Sequence, residues 1–146
     1  MTTTSAKRDG PASSHPGWRR VSLWGPVVAY MAVIFALSSM TRLAELPGGM
    51  TDKGAHFLEF AGLATLTMRA LAGGRWAGVR LPSVLGTLLI AVTYAFSDEI
   101  HQLFVPGREF DLRDIAADAI GAFVAAVAAW TWGIIRRFSG IHAGRA

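Results

Sequence analysis

Three long runs of apolar residues constrain this chain most strongly. They lie within residues 23–40, 81–96 and 112–135. A helix of about 20 apolar residues matches the thickness of a bilayer core, whereas a helix on the surface of a soluble domain keeps one polar face. Apolar residues make up 52% of the 146 residues. Because they are gathered into these runs, the sequence indicates a membrane protein.

A fourth, weaker segment lies between the first two runs, at residues 52–71. It carries His56 and Glu59 but is otherwise apolar and small, and Gly73 and Gly74 follow it. Its length suits a span as well. We therefore predict one domain over residues 21–137. Its fold class is an all-α membrane protein, a four-helix transmembrane bundle with both termini cytoplasmic.

The basic residues predict the orientation. We interpret residues 1–20 as a disordered basic tail and 138–146 as a short second tail, with Arg136 and Arg137 ending the last helix. With both tails in the cytoplasm, only four of the 14 Lys and Arg residues lie outside, which follows the positive-inside rule. The basic residues behind the net charge of +4 then serve to orient the chain in the membrane and to contact the inner leaflet. No nucleic-acid partner is expected. We predict a multi-pass protein of the plasma membrane, in contact with the lipid bilayer.

Polar residues concentrate at the predicted extracytoplasmic end. Glu59 and Asp118 each lie about two turns inside a helix, at roughly 10 Å depth, where an ionisable group is costly and suggests a function. Three chain segments converge there: the start of the second helix, the end of the third and the start of the fourth. We predict a polar site from these twelve residues: Asp52, Lys53, His56, Glu59, Asp98, Glu99, His101, Gln102, Arg108, Asp111, Asp114 and Asp118.

The side-chain chemistry permits several roles. For acid–base catalysis the candidates are His56, Glu59, Asp98, His101 and Asp114, for instance His101 with Glu59 or Asp98. The others are candidate binding residues, with Arg108 behind a Pro-Gly turn as a possible anion contact. The i, i+3 pairs His56/Glu59 and Asp98/His101 can also supply ligands to a divalent metal cofactor. The chain has no cysteine, which excludes thiolate chemistry.

Two segments resemble the VanZ-like family of small bacterial membrane proteins. They are D-K-G-A-H-F-L-E-F at 52–60 and S-D-E-I-H-Q-L-F-V-P-G-R-E-F-D-L-R-D-I-A-A-D-A-I-G at 97–121. The resemblance implies a four-helix integral membrane protein linked to the cell envelope, whose founding member is associated with glycopeptide (teicoplanin) resistance. Family patterns often carry Asn where this chain has Asp118. The resemblance supplies no catalytic assignments.

The resulting hypothesis is an envelope protein whose outer polar site binds or modifies a lipid-linked or peptidoglycan-related component, or an anionic lipid headgroup, and so affects glycopeptide susceptibility. Three alternatives stay open. One is a metal-dependent membrane enzyme. Another is a scaffold in which the charges only tie helix ends together. The third is a small transporter with His56, Glu59 and Asp118 as a proton relay.

Overall fold

A computed structural model describes residues 16–40 and 51–143 of the chain. Within these two ranges the secondary structure is helical, without a β-strand, which confirms the all-α prediction. A short 3-10 helix, Trp76–Gly78, precedes the third long helix. The four long helices are α1 (Pro16–Ser38), α2 (Asp52–Leu71), α3 (Leu81–Gln102) and α4 (Leu112–Ala143).

Three of these helices are long and apolar enough to cross a membrane. The segments are Gly17–Ser38, Leu81–Gln102 and Leu112–Ser139, with mean hydropathies of 1.8, 1.4 and 1.6. The remaining helix, α2, is the most enclosed. It packs most extensively on α4 and also contacts α1 and α3. Because α2 faces protein over most of its surface, it does not need an apolar exterior of its own.

The distribution of side chains is that of a protein in lipid. Large apolar side chains point outward, among them Leu89 at 70% exposure, Val28 at 63% and Phe123 at 55%. The interior instead holds small residues, and eight of the seventeen buried apolar residues are alanine. Small residues let helix backbones approach closely where the hydrophobic effect supplies no driving force. The chain is therefore a membrane protein.

Two glycines bring α2 against its neighbours. A Cβ atom at Gly121 of α4 would overlap the backbone carbonyl of Phe57 in α2. A Cβ atom at Gly62 of α2 would overlap the phenol of Tyr30 in α1. Gly121 is thus required, because it meets backbone, and it brings the N-terminal halves of α2 and α4 together. At Gly62 the tyrosine side chain would have to move.

The helices alternate in direction, so their polar residues gather at two ends. At one end Arg19 Nη2 donates to Gly73 O (3.0 Å) and Arg137 Nε donates to Ala77 O (3.0 Å). Gly73 and Gly74, both at positive φ, turn the chain there. The opposite end holds the C-termini of α1 and α3 and the N-termini of α2 and α4. It contains the predicted polar residues.

Two predicted boundaries need correction. Helix α1 begins at Pro16, so residues 16–20 belong to a helix and not to a disordered tail; residues 1–15 lie outside the described ranges. Helix α4 does not end at Arg136 and Arg137 but runs on to Ala143. Arginine is a good helix former, and no proline follows in the sequence to stop the helix. The two arginines therefore do not end it.

Candidate functional site

Ion pairs join the start of α2 to the start of α4. Thr51 caps α2 by accepting from the Gly54 N–H (3.1 Å), which sets the first turn. In this first turn, Lys53 Nζ lies 2.6 Å from Asp114 Oδ1 and 3.1 Å from Asp111 Oδ2. Asp114 is buried, whereas Lys53 remains partly exposed. The lysine therefore reaches inward from the surface to neutralise a buried carboxylate.

A deeper pair lies directly beneath. His56 Nδ1 is 3.1 Å from Asp118 Oδ1, and His56 Nε2 is 3.9 Å from Asp114 Oδ2. The three residues are at most 5% exposed. Asp114 and Asp118, four residues apart on α4, thus both face α2 and flank one imidazole ring.

A second network joins α3 to α1. Asp98 Oδ2 accepts hydrogen bonds from Ser38 Oγ (2.7 Å) and Gln102 Nε2 (3.3 Å). Gln102 Oε1 in turn accepts from Arg108 Nε (3.1 Å) and Nη2 (2.8 Å). Arg108 Nη1 lies 3.8 Å from Asp52 Oδ1 on α2. The arginine therefore links the two networks across the end of the bundle.

His101 does not lie with the other predicted metal ligands. Its Nε2 is 3.0 Å from Ser39 Oγ, and its ring stacks on Phe35 of α1 with centroids 4.2 Å apart. Among the described residues, the His and acid side chains that meet at metal-ligand separations are Asp52, His56 and Asp114. The predicted set of His56, Glu59, Asp98 and His101 is not brought together, because His101 stacks on Phe35 and contacts Ser39.

Glu99 and Asp111 fix the loop between α3 and α4. The buried Glu99 accepts a hydrogen bond through Oε2 from the backbone N–H of Asp111 (2.8 Å). Asp111 Oδ1 accepts from the Arg113 N–H (2.8 Å), which makes Asp111 the N-cap of α4. That hydrogen bond, together with Lys53, lowers the pKa of the Asp111 carboxyl below its usual value.

A cleft opens between the two networks. Its volume is about 10 Å³, which is room for about one water molecule. Glu59 is half-buried there and has no hydrogen bond or ion pair to the described part of the chain. A wider depression of about 520 Å³ lies outside it, lined by the 107–111 loop with Asp52 and Asp114. The polar side chains that line the inner cleft come from α1, α2, α3 and the loop: Ser38, Asp52, His56, Glu59, Gln102 and Arg108.

Three buried carboxylates keep one oxygen without a hydrogen-bond partner among the described residues. The atoms are Asp98 Oδ1, Glu99 Oε1 and Asp118 Oδ2. Buried polar atoms are normally satisfied, and the exceptions concentrate at functional sites. The buried carboxylates therefore have more acceptor oxygens than the described residues satisfy by hydrogen bonds.

Two serines at the end of α1, Ser38 and the following Ser39, belong to the site and were missed from the sequence. Ser38 contacts Asp98, and Ser39 contacts His101. The available signal was the Ser-Ser pair that ends an otherwise apolar run, at the same end of the bundle as the acids. All twelve predicted residues lie at that end, with His101 set apart on the α1 side.

The fold and the site together define a small all-helical membrane protein with a polar cluster at one end. The sequence profile of the VanZ/LLP1 family matches residues 7–135, so the chain belongs to this family. No curated protein and no solved structure matches the chain.

Proposed function

We propose that the chain is a four-span plasma-membrane protein with both termini in the cytoplasm, and that its polar cleft binds a lipid-linked, peptidoglycan-related component on the extracytoplasmic side. The observation that carries the proposal is the outer depression of about 520 Å³ together with the inner cleft, which shares Asp52 and Arg108 with it. The inner cleft is lined by polar side chains of three helices and contains Glu59 without a partner in the described chain. A half-buried ionisable group of this kind is a functional hypothesis in a membrane protein.

The topology rests on charge. The arginines at the Gly73 end (Arg19, Arg69, Arg75, Arg80 and Arg137) face the opposite side from the acidic cleft. Basic residues near short loops are retained in the cytoplasm. Helix α2 falls below the hydropathy of the other three, and its enclosure by them compensates for its polar start.

The cleft chemistry suits a ligand that carries both hydrogen-bond donors and a negative charge. Carboxylates such as Glu59 accept from sugar hydroxyls, peptide amides and ammonium groups. Arg108 uses Nε and Nη2 on Gln102 and keeps further N–H donors for a phosphate or carboxylate. A lipid-linked envelope precursor combines these groups with an apolar chain that the bilayer accommodates.

The link to antibiotics comes from the family. Membership of the VanZ/LLP1 family supports a role in the envelope, and the resemblance to its founding member extends this role to glycopeptide susceptibility. If the protein binds a precursor in the outer leaflet, it would change the part of that precursor that a glycopeptide can reach.

Binding in nanodiscs tests the proposal. Full-length protein should bind a lipid-linked peptidoglycan precursor more tightly than phosphatidylglycerol, and Glu59→Gln and Arg108→Gln should each weaken that binding about tenfold. Arg75→Gln, an exposed arginine at the other end, is the matched control and should bind normally. Equal affinity for both lipids, or equal loss in the control, would refute the proposal.

The α2–α4 ion pairs support a second candidate, a purely structural role for the cluster. Lys53, Asp111 and Asp114 satisfy one another, as a helix tie requires. Thermal unfolding of the same variants separates the two roles. If the cluster is only structural, Glu59→Gln should lower the unfolding temperature in proportion to any loss of binding. If the cleft binds the ligand, Glu59→Gln should weaken binding without changing the unfolding temperature.

A further inference from the structure

We infer that Asp52, His56 and Asp114 form a binding site for a divalent transition-metal cation at the mouth of the cleft. One ligand atom from each of the three residues lies within 4.8 Å of the other two. An imidazole nitrogen with two carboxylate oxygens is a donor set that suits Zn²⁺ or Mn²⁺.

The spacing fits a small ion. His56 Nε2 and Asp114 Oδ2 are 3.9 Å apart. Two ligands at about 2.1 Å from a tetrahedral ion stand about 3.4 Å apart, so the ring and the carboxylate need to close by only about half an ångström. This is within the reach of a side-chain rotation and requires no movement of α2 or α4.

The two buried ligands are held through their other polar atoms. Asp118 Oδ1 lies 3.1 Å from His56 Nδ1, so a proton on Nδ1 would be held by this carboxylate when Nε2 gives its lone pair to a cation. Lys53 contacts Oδ1 of Asp114, which leaves Oδ2 toward the ring. A carboxylate that orients a histidine in this way is the usual outer partner of a metal-bound imidazole.

His56 Nε2 is available to a ligand. It belongs to a residue that is only 5% exposed, and it makes no hydrogen bond within the described part of the chain. A cation would supply the missing partner. The atom faces the Asp114 oxygen with which it would share the ion.

Three protein ligands leave at least one coordination position open. Asp52 borders both the inner cleft and the outer depression, so this position is accessible to water or to an oxygen of a bound molecule. The cation site does not depend on the proposed precursor binding, since it can be measured without any precursor.

The test uses full-length protein in nanodiscs, stripped with a chelator and titrated with Mn²⁺ alone. We expect one ion per chain and, in pulsed electron paramagnetic resonance, a coupling from an imidazole nitrogen. Asp52→Asn should weaken binding at least tenfold, and because Asp52 is exposed this variant should remain folded. His56→Gln should abolish the nitrogen coupling.

Glu109→Gln is the matched control, because Glu109 is an exposed acid at the same end outside the three-residue set. It should bind Mn²⁺ as the wild type does. Absence of stoichiometric binding, normal binding by Asp52→Asn, a persistent nitrogen coupling in His56→Gln, or an equal loss in Glu109→Gln would each overturn the inference. Precursor binding measured in the presence of chelator is a separate readout, so failure of one proposal is distinguishable from failure of the other.

Discussion

His56 in α2 and Asp118 in α4 are joined by a contact of 3.1 Å between Nδ1 and Oδ1, and both side chains are buried. Asp118 lies about two turns and His56 about one turn inside its helix, and both residues are buried, so the pair lies where water cannot compensate for the loss of a partner. It therefore both fixes the packing of α2 on α4 and sets the orientation of the imidazole that the cleft presents.

Removing Asp118 should destabilise the protein strongly. Asp118→Ala leaves His56 Nδ1 without an acceptor, and breaking a buried pair in this way costs about 3–5 kcal/mol. Asp118→Asn keeps an oxygen that can accept from Nδ1–H, so its loss should be much smaller. Reversible unfolding in mixed micelles measures both. Equal unfolding free energies for the two variants would show that the hydrogen bond is unimportant.

Close packing of α4 on α2 should depend on Gly121. Gly121→Ala places a methyl group on the Phe57 carbonyl, and overpacking of this kind costs about 1–3 kcal/mol. Gly25→Ala is the matched control, because nothing lies within 4 Å of the added carbon. Its unfolding temperature should stay the same or rise, since alanine favours the helix. A stable Gly121→Ala variant would contradict the packing.

The lowered pKa of Asp111 predicts a pH dependence. A carboxyl whose pKa is lower in the folded state contributes stability above its unfolded pKa, and this contribution is lost as the pH falls through the folded pKa. Asp111→Asn retains the cap but removes the charge beside Lys53. The difference in unfolding temperature between wild type and variant should be largest near neutral pH and should vanish in strong acid. A difference that is independent of pH would exclude this linkage.

Topology can be measured without background labelling, because the chain has no cysteine. We expect a membrane-impermeant maleimide to label Glu109→Cys in intact cells, and to label Arg75→Cys only after the cells are permeabilised. Both positions are exposed, so accessibility reports the side of the membrane. Labelling of Arg75→Cys from outside would contradict the proposed orientation.

The helices could be predicted well because each rests on a local signal. Gly73 and Gly74 end α2 through positive φ, and Asp111 caps α4 through its own side chain. The predicted end of α4 was wrong. Two arginines are typical of a membrane interface, but they do not interrupt the backbone hydrogen bonds of a helix.

Partner choice within the cluster could not be predicted in the same way. Tyr94, Asp98 and His101 lie at i, i+4 and i+7 on α3, and they contact Met31, Ser38 and Ser39 in and just after α1. Spacing does not determine which neighbour such a helix face meets, because that depends on the rotation of the helix in the bundle. For this reason the contact of His101 with Ser39 was not predicted.

Protection of one cysteine by a ligand tests the central claim most directly. In nanodiscs, the rate at which the maleimide modifies Glu109→Cys should fall several-fold when the lipid-linked peptidoglycan precursor is added, because Glu109 borders the depression outside the cleft. The rate at Arg75→Cys should not change. Equal rates at Glu109→Cys with and without precursor, or protection at Arg75→Cys, would contradict a precursor-binding cleft at this end of the protein.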